Sequence, residues 1–257
     1  MNLLQDIHNK YLGNVSVIIP IHNERGNIRG ILEDWSKTPF EIIVVDDGST
    51  DEPEKVLEEF EPRIIVLKNS TNKGYGYSLK KGIHYSSGKW VLISDGDGQY
   101  AVQDACRLIS FLDDYPSEER PDMAICDRRV KESPVRFIGR KVLNTIASIL
   151  CRRWIPDLNS GCRIIRKDLV KQYNPLICDT FSFTTTTTMM FIIDGYTVEW
   201  LPSKILPRAY GRSKVKLGKD GWITLKQILW IGLGLRSRRL RAILRRWRES
   251  ITHKSSK

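Results

Sequence analysis

WVLISDGDGQY, residues 90–100, joins an unbroken apolar run to two carboxylates separated by a single glycine. Trp90, Val91, Leu92 and Ile93 leave no polar position between them, so the strand they predict is covered on both faces, as strands of parallel sheets are. Asp and Gly supply turn geometry after such a strand, which accounts for one acid but not for both Asp95 and Asp97. Outward from this stretch the pattern repeats in VSVIIP (15–20), EIIVVDDGS (41–49) and the shorter RIIVLKN (63–69). Helical stretches lie between the runs: 26–37, 51–60 with Pro53 in its first turn, and 76–87. Strands alternating with helices predict an α/β fold with a mainly parallel sheet. Ligands of such folds bind beyond the carboxyl ends of the strands. The chain concentrates its polar groups there: Asn23 and Glu24, Asp46 and Asp47, Asp95 and Asp97.

Farther along, the pattern predicts helices at 103–115 and 139–154 and strands at 122–127 and 197–202, while FTTTTTMM (183–190) reads as a strand or a helix start. A chain of 257 residues with 41% hydrophobic content buries a sizeable core. Its formal charge of +11 is concentrated at the end, where residues 236–257 hold nine Lys or Arg against Glu249 alone. Leu240, Ile243, Leu244, Trp247 and Ile251 recur there at helical spacing, which predicts a basic amphipathic helix suited to an anionic membrane surface. Five cysteines (106, 126, 151, 162, 178) without metal-site spacing argue against a disulfide scaffold or a zinc site and for a reducing compartment. The first residues lack the apolar stretch of a secretory signal. The apolar segment 221–235 contains Lys226 and is shorter than the roughly 20 residues that cross a bilayer. A peripheral protein is expected.

Two carboxylates flanking one small residue suit an oxygen-ligated Mg²⁺ or Mn²⁺ that completes its shell with water and phosphate. The ordered set VSVIIPIHNERGNI, EIIVVDDGSTD, NKGYGYSLKKGI and SDGDGQY resembles the nucleotide-binding half of GT-A fold (Rossmann-like) family 2 glycosyltransferases. Within them it is most similar to the dolichyl- or polyprenyl-phosphate mannose or glucose synthases. DLNSGCRIIRKDLV and RAYGRSKVKLGKDG are similar to their D-x-x-S-G-x-R and R-x-x-G-x-S-K elements, so the resemblance covers roughly residues 14–235. It implies that Pro20, His22, Asn23 and Glu24 meet the nucleoside and that Asp47 hydrogen-bonds the base. Asp46 belongs to the same donor-facing set or only fixes the turn. It further implies that Asp95 and Asp97 bind the metal with help from Gln99, and that Lys73 of NKGYG lies near phosphate. Arg208, Ser213 and Lys214 close over the diphosphate. His22 departs from the family's usual aromatic. The NKGYG stretch itself lacks both the GxGxxG and the GxxxxGK[ST] pattern, which excludes dinucleotide and P-loop readings.

On the acceptor side the resemblance assigns Arg128, Arg140 and Asn144 to the polyprenyl phosphate, with Asp97, Arg128 and Arg140 as the catalytic set. Such an acceptor is already an anion and needs positioning cations rather than a strong base. Many relatives carry a Glu after a Phe where this chain has FSFTTTTTMM, and Thr185–Thr187 cannot replace a carboxylate. That counts against hydroxyl acceptors, which need a base. The expected organisation is an N-terminal extension (1–13), a glycosyltransferase domain (14–220, its nucleotide half about 14–100) and the amphipathic, basic tail (221–257). The expected activity is inverting, metal-dependent transfer of a hexose from GDP-mannose or a UDP-sugar to polyprenyl phosphate at the cytoplasmic face of a membrane. A separate membrane-anchoring subunit is compatible with it. Two rivals remain: transfer to a glycan or protein hydroxyl, and nucleic-acid binding by the basic tail. The acidic strand ends repel nucleic-acid phosphate, and no nucleic-acid motif is present.

Overall fold

The computed structural model describes residues 14–129, 133–204, 206, 210, 217–234, 242 and 245. The N-terminal extension (1–13) and, of the expected tail 221–257, residues 235–257 apart from 242 and 245 lie outside the described residues. Four parallel strands form one half of a seven-stranded sheet: β1 (Val15–Ile21), β2 (Glu41–Asp46), β3 (Ile65–Lys68) and β4 (Trp90–Ile93). The other half holds β5 (Met123–Arg129), β6 (Arg163–Arg166) and β7 (Val198–Lys204), in the overall order β3-β2-β1-β4-β6-β5-β7. Only β6 runs against its neighbours, β4 and β5. Its amino end, with the loop that precedes it, therefore lies at the same edge of the sheet as the carboxyl ends of the parallel strands.

The unbroken apolar runs form buried strands because helices cover both faces. One core joins Val17, Ile19, Val44 and Leu92 to α1 (Arg25–Trp35), α2 (Glu54–Glu58) and α4 (Val102–Asp113). The alternate residues Ile18, Ile43, Val45 and Ile93 enter a second core with α3 (Tyr75–Tyr85), α5 (Pro134–Cys151), α6 (Lys167–Gln172), α7 (Phe183–Ile193) and α8 (Leu217–Gly234). Each fully buried Ile, Val or Leu stabilises this arrangement by about 1.5–3 kcal/mol. The early strands and helices fall where the periodicity predicts them. β6 and α6 were not expected, and the threonine run is the first part of a helix. The helix expected at 139–154 begins at Pro134 and ends at Cys151, with Ser133 before its first proline.

In this sheet order β1 connects outward to β2, and β4 lies on its other side. The carboxyl ends of β1 and β4 thus flank the crevice where the direction of winding changes, the general location of ligand sites in open α/β sheets. The five cysteines are free thiols.

Candidate functional site

The loops after β1 and β2 are tied into one unit. Asp47 N donates to Ile21 O at 2.8 Å, and His22 Nδ1 lies 3.0 Å from Asp47 O. Asn23 takes a left-handed φ of 54°, donates its N–H to Ser49 Oγ and accepts from Thr50 N through Oδ1. Glu24 opens α1 and accepts from Asn27 Nδ2 at 2.6 Å. Asp46 accepts from Ser49 N within the turn that follows β2. Asp47 is nearly inaccessible, and its carboxylate accepts from Asn69 Nδ2, Lys73 N and Gly74 N, each at 2.8 Å. It fastens the glycine-rich loop at the start of α3 to the end of β2. Pro20 lies in the last turn of the β1 ladder, paired with Val45.

At the end of β4 the DGD turn is shaped by its neighbours. A Cβ on Gly96 would come 2.7 Å from Ile21 Cγ2 and 2.9 Å from Pro20 O, so only glycine lets β1 lie against this turn. A Cβ on Gly161 would sit 2.0 Å from Asp95 Oδ2, so the loop before β6 closes directly onto the first carboxylate. Tyr75 Oη donates to Asp95 Oδ1 at 2.7 Å while its ring stacks on Phe181, and Gln99 N donates to Asp97 Oδ1 at 3.1 Å. Burial, with the nearby charge of Asp97, pushes the Asp95 pKa up to about 6. Burial and the Asp95 charge also hold the Tyr75 hydroxyl well above its usual range, so it stays a donor.

This pair suits a hard divalent cation: two carboxylates whose mutual charge is unfavourable, fixed on a turn between strands. Among the described residues no group of three or more His, Cys, Asp or Glu could hold a metal. Ligation by Asp95 and Asp97 therefore calls for further oxygens from Gln99, water or substrate phosphate, the pattern common for Mg²⁺.

Of the two cations expected on the acceptor side, Arg128 acts on Asp95 through its charge and Arg140 on Asp157. Arg128, at the end of β5, makes a two-pronged pair with the inaccessible Asp157: Nε to Oδ2 at 2.6 Å and Nη2 to Oδ1 at 2.9 Å. Burial alone would lower the Arg128 pKa, but the Asp157 charge and hydrogen bonds outweigh it and raise it further. Arg128 also lowers the pKa of Asp95 through its charge, so the guanidinium lies within electrostatic reach of the acidic turn. Arg140 is half-buried on α5, its guanidinium 5.8 Å from the Phe137 ring centre. Asn144 is buried one turn farther along, donates to Pro156 O at 2.6 Å, and keeps its Oδ1 buried with no hydrogen-bond partner.

Arg208, Ser213 and Lys214 lie outside the described residues. Two flanking positions show where their loop attaches. Leu206 N donates to Gln99 O at 2.9 Å, beside the acidic turn, and the backbone of Tyr210 exchanges two hydrogen bonds with the Asn27 amide.

Tyr75 escaped the sequence reading, and Asp157, Gly161 and Arg163 entered it only as members of the D-x-x-S-G-x-R element, with no role assigned to any of them. Arg163 is entirely buried on β6, with no carboxylate at hydrogen-bond distance among the described residues. Its guanidinium donates to Ser160 O at 2.5 Å, Thr184 O at 3.0 Å and Thr188 Oγ1 at 2.9 Å. Burial lowers its pKa to about 10, so it stays charged at neutral pH. The threonine run is its cradle, and Thr185 Oγ1 donates to Asn159 Oδ1 at 2.5 Å. The sequence signal for Arg163 was its place at the end of the D-x-x-S-G-x-R element, and nothing in that element linked it to the five threonines of 184–188.

The model for "Glycosyl transferase family 2" matches residues 16–173 of the chain. Dolichyl-phosphate beta-glucosyltransferase of Dictyostelium discoideum is 27% identical over 194 residues, 66% of this chain and 58% of that enzyme's length. The enzyme of the same name in Saccharomyces cerevisiae is 26% identical over 241 residues, 80% of this chain and 72% of its own length. In three dimensions the chain is similar to glucosyl-3-phosphoglycerate synthase from Mycobacterium tuberculosis, solved with Mn²⁺, uridine diphosphate and phosphoglyceric acid. The TM-score is 0.71 at 16% identity, over 89% of this chain and 82% of the other, which establishes a shared α/β glycosyltransferase fold.

Proposed function

The chain belongs to glycosyl transferase family 2, and we propose that it is an inverting, divalent-metal-dependent hexosyltransferase. On this reading it moves the sugar of GDP-mannose or of a UDP-sugar such as UDP-glucose to polyprenyl phosphate at the cytoplasmic face of a membrane. The observation that carries the proposal is the pairing of opposite charges across the crevice. The carboxylates of Asp95 and Asp97 stand at the end of β4, and the guanidinium of Arg128 lies within electrostatic reach of them. One side suits a cation with a diphosphate, the other an anionic acceptor. Transfer to polyprenyl phosphate by the two dolichyl-phosphate relatives supports that choice of acceptor.

The chain's own groups divide the work. Pro20, His22, Asn23 and Glu24 meet the nucleoside. Asp46 and Asp47 hold the donor loop, with Lys73 near its phosphates and Arg208, Ser213 and Lys214 over them. Asp95 and Asp97, aided by Gln99, would hold Mg²⁺ or Mn²⁺, which when bound neutralises charge on a leaving diphosphate. Arg128 and Arg140 position the acceptor phosphate for in-line attack on the anomeric carbon, and Asn144, one turn after Arg140 on α5, belongs to the same acceptor set by the resemblance. No proton has to be removed from such a nucleophile. A glycan or protein hydroxyl would need a base, and the Thr185–Thr187 hydroxyls are engaged in bonds within the protein.

The test is transfer from GDP-mannose and UDP-glucose to detergent-solubilised polyprenyl phosphate against soluble glycan acceptors. Prenyl phosphate should be used and the glycans ignored; the reverse result overturns the acceptor assignment. Asp97→Ala should lose metal-dependent nucleotide binding with its thermal unfolding unchanged. Arg140→Ala should raise KM for the acceptor more than it weakens the donor.

A further inference from the structure

Tyr75 opens helix α3 and reaches the acidic turn at the end of β4. Its hydroxyl donates to Asp95 Oδ1 at 2.7 Å, while Oδ2 takes no hydrogen bond from the described residues. The tyrosine is held firmly by its surroundings. Its ring stacks on Phe181, 5.5 Å between centres and 21° between planes. The glycines on either side of it let the start of α3 press against the backbone of residues 178–180. A Cβ on Gly74 would come 2.5 Å from Asp179 O, and one on Gly76 2.1 Å from Cys178 O. Tyr77 N donates to Asp179 O at 3.1 Å, Lys80 Nζ to Asp179 Oδ1 at 2.7 Å, and Gly74 N to the Asp47 carboxylate at 2.8 Å. A phenol fixed in this way holds Asp95 Oδ1 in one place.

Gly161 restricts the same carboxylate from another side. A Cβ there would stand 2.0 Å from Asp95 Oδ2 and 2.5 Å from both Oδ1 and Cγ, which puts it in front of the gap between the two oxygens. A cation gripped by both oxygens of Asp95 would need that space, and the loop before β6 crowds it. With Oδ1 taken by the phenol, Asp95 has a single oxygen, Oδ2, to offer.

Coordination chemistry says which ion such an acid suits. Ca²⁺ collects about 6–8 oxygens in a loose shell and is often held by both oxygens of a carboxylate. Mg²⁺ demands a tighter, near-octahedral shell, built from one or two carboxylates with water and substrate phosphate, and Mn²⁺ shares its preference for octahedral oxygen sites. Hydrogen bonds that orient a ligating carboxylate tune the metal as strongly as many ligands do.

We propose that Tyr75 is a positioning residue that sets the ion specificity of this site: by occupying Oδ1 it confines Asp95 to a single-oxygen contact and so favours Mg²⁺ or Mn²⁺ over Ca²⁺. The inference rests on the metal reading above and goes beyond it, since it gives the choice of ion to a side chain that is not itself a ligand. Phe181 lies between α6 and α7, so the acceptor half of the chain helps to hold an acid of the donor half.

The experiment is titration of the full chain with Mn²⁺ at saturating UDP or GDP. Free Mn²⁺ is counted by electron paramagnetic resonance, and Mg²⁺ and Ca²⁺ serve as competitors. In the unaltered protein Mg²⁺ should displace Mn²⁺ at a concentration at least about tenfold below that of Ca²⁺. Tyr75→Phe keeps the ring on Phe181 and removes only the hydroxyl. Its Mn²⁺ affinity should fall about 10–100-fold, and Mg²⁺ and Ca²⁺ should then compete alike. Tyr75→Leu is the second variant, should the first fail to fold, and closes the same gap. Thermal unfolding without metal, measured alongside, registers what the hydroxyl contributes to the fold. A lowered melting temperature with the parent's Mn²⁺ affinity and ion order overturns the proposal, and so does a fall in Mn²⁺ affinity that leaves the order of Mg²⁺ over Ca²⁺ intact. Equal displacement by Mg²⁺ and Ca²⁺ in the unaltered protein overturns it whatever the variants do. Mn²⁺ binding that Asp97→Ala abolishes and Tyr75→Phe leaves unchanged defeats the role of Tyr75 alone, whereas absence of Mn²⁺ binding by the parent with either nucleotide defeats the metal reading itself.

Discussion

At the end of β2 the Asp47 carboxylate accepts three hydrogen bonds, two of them from backbone N–H groups. Across β1, at the end of β4, Asp95 accepts one from Tyr75 and faces the charge of Asp97. The other half of the sheet repeats the contrast with cations. Arg128 is matched by the carboxylate of Asp157, whereas Arg163 is surrounded by carbonyls and hydroxyls. Each half thus holds one charge that its own surroundings satisfy and one that they satisfy poorly. The two poorly satisfied charges feel each other: Arg163 lowers the pKa of Asp95, and Asp95 raises that of Arg163. A poorly matched charge such as Asp95 marks where a ligand's charge would be welcome, whereas the pairing with Asp157 fixes the Arg128 guanidinium in place.

Removing the matched cation should have the largest effect. Arg128→Met leaves Asp157 buried without its partner, and urea unfolding should register a loss of about 3–5 kcal/mol. Arg163→Met strands only neutral acceptors and should cost about 1–3 kcal/mol. Equal losses would erase the distinction between the two arginines. Gly161→Ala drives a methyl group into the Asp95 carboxylate and should weaken Mn²⁺-dependent nucleotide binding about 100-fold by calorimetry, equivalent to about 2.7 kcal/mol. Unaltered binding would separate Asp95 from the metal.

Asp95→Asn should act in the opposite direction on stability. The folded pKa of Asp95, about 6, stands above the ordinary 3.8, so ionised Asp95 weakens the metal-free fold above pH 6. That cost disappears as pH falls from about 6 to below the ordinary 3.8, where folded and unfolded forms are both protonated. The variant should therefore be about 1–3 kcal/mol more stable than the parent at pH 7–8 without metal, and no different near pH 3. A variant of equal stability at pH 8 would show that Asp95 is as well satisfied as Asp47. Thr188→Val, which removes one hydroxyl from the Arg163 cradle, should cost about 1 kcal/mol in urea unfolding.

Of the two halves, the one formed by β1 to β4 was the more legible. Ile18, Ile43 and Ile93 sit in continuous apolar runs because parallel strands are covered on both faces, and the acids that end those runs stand out against them. β6 was hidden by its own chemistry. It has four residues with arginine at both ends, and nothing in Arg163 itself says that it is wholly buried. The threonines have strand propensity, but here their hydroxyls bond back to carbonyls one turn earlier, Thr187 to Phe183 and Thr188 to Thr184, and to Arg163. That arrangement depends on contacts 21–25 residues apart in sequence. The start of α5 at Ser133-Pro134 was readable in local terms and was overlooked for the charges around it. Gly161 and Tyr75 act only through Asp95, which no spacing rule connects to them.

The reversed direction of β6 also bears on how the chain is made. β4 is complete at Ile93, but its neighbour on one side is not synthesised until about seventy residues later. At roughly 5–20 residues per second, WVLI waits several seconds as an open, wholly apolar edge, the kind of edge that recruits foreign strands. A nascent chain stalled between residues 94 and 162 should thus be the most aggregation-prone form of this protein, and release of β6 from the ribosome the step that seals it.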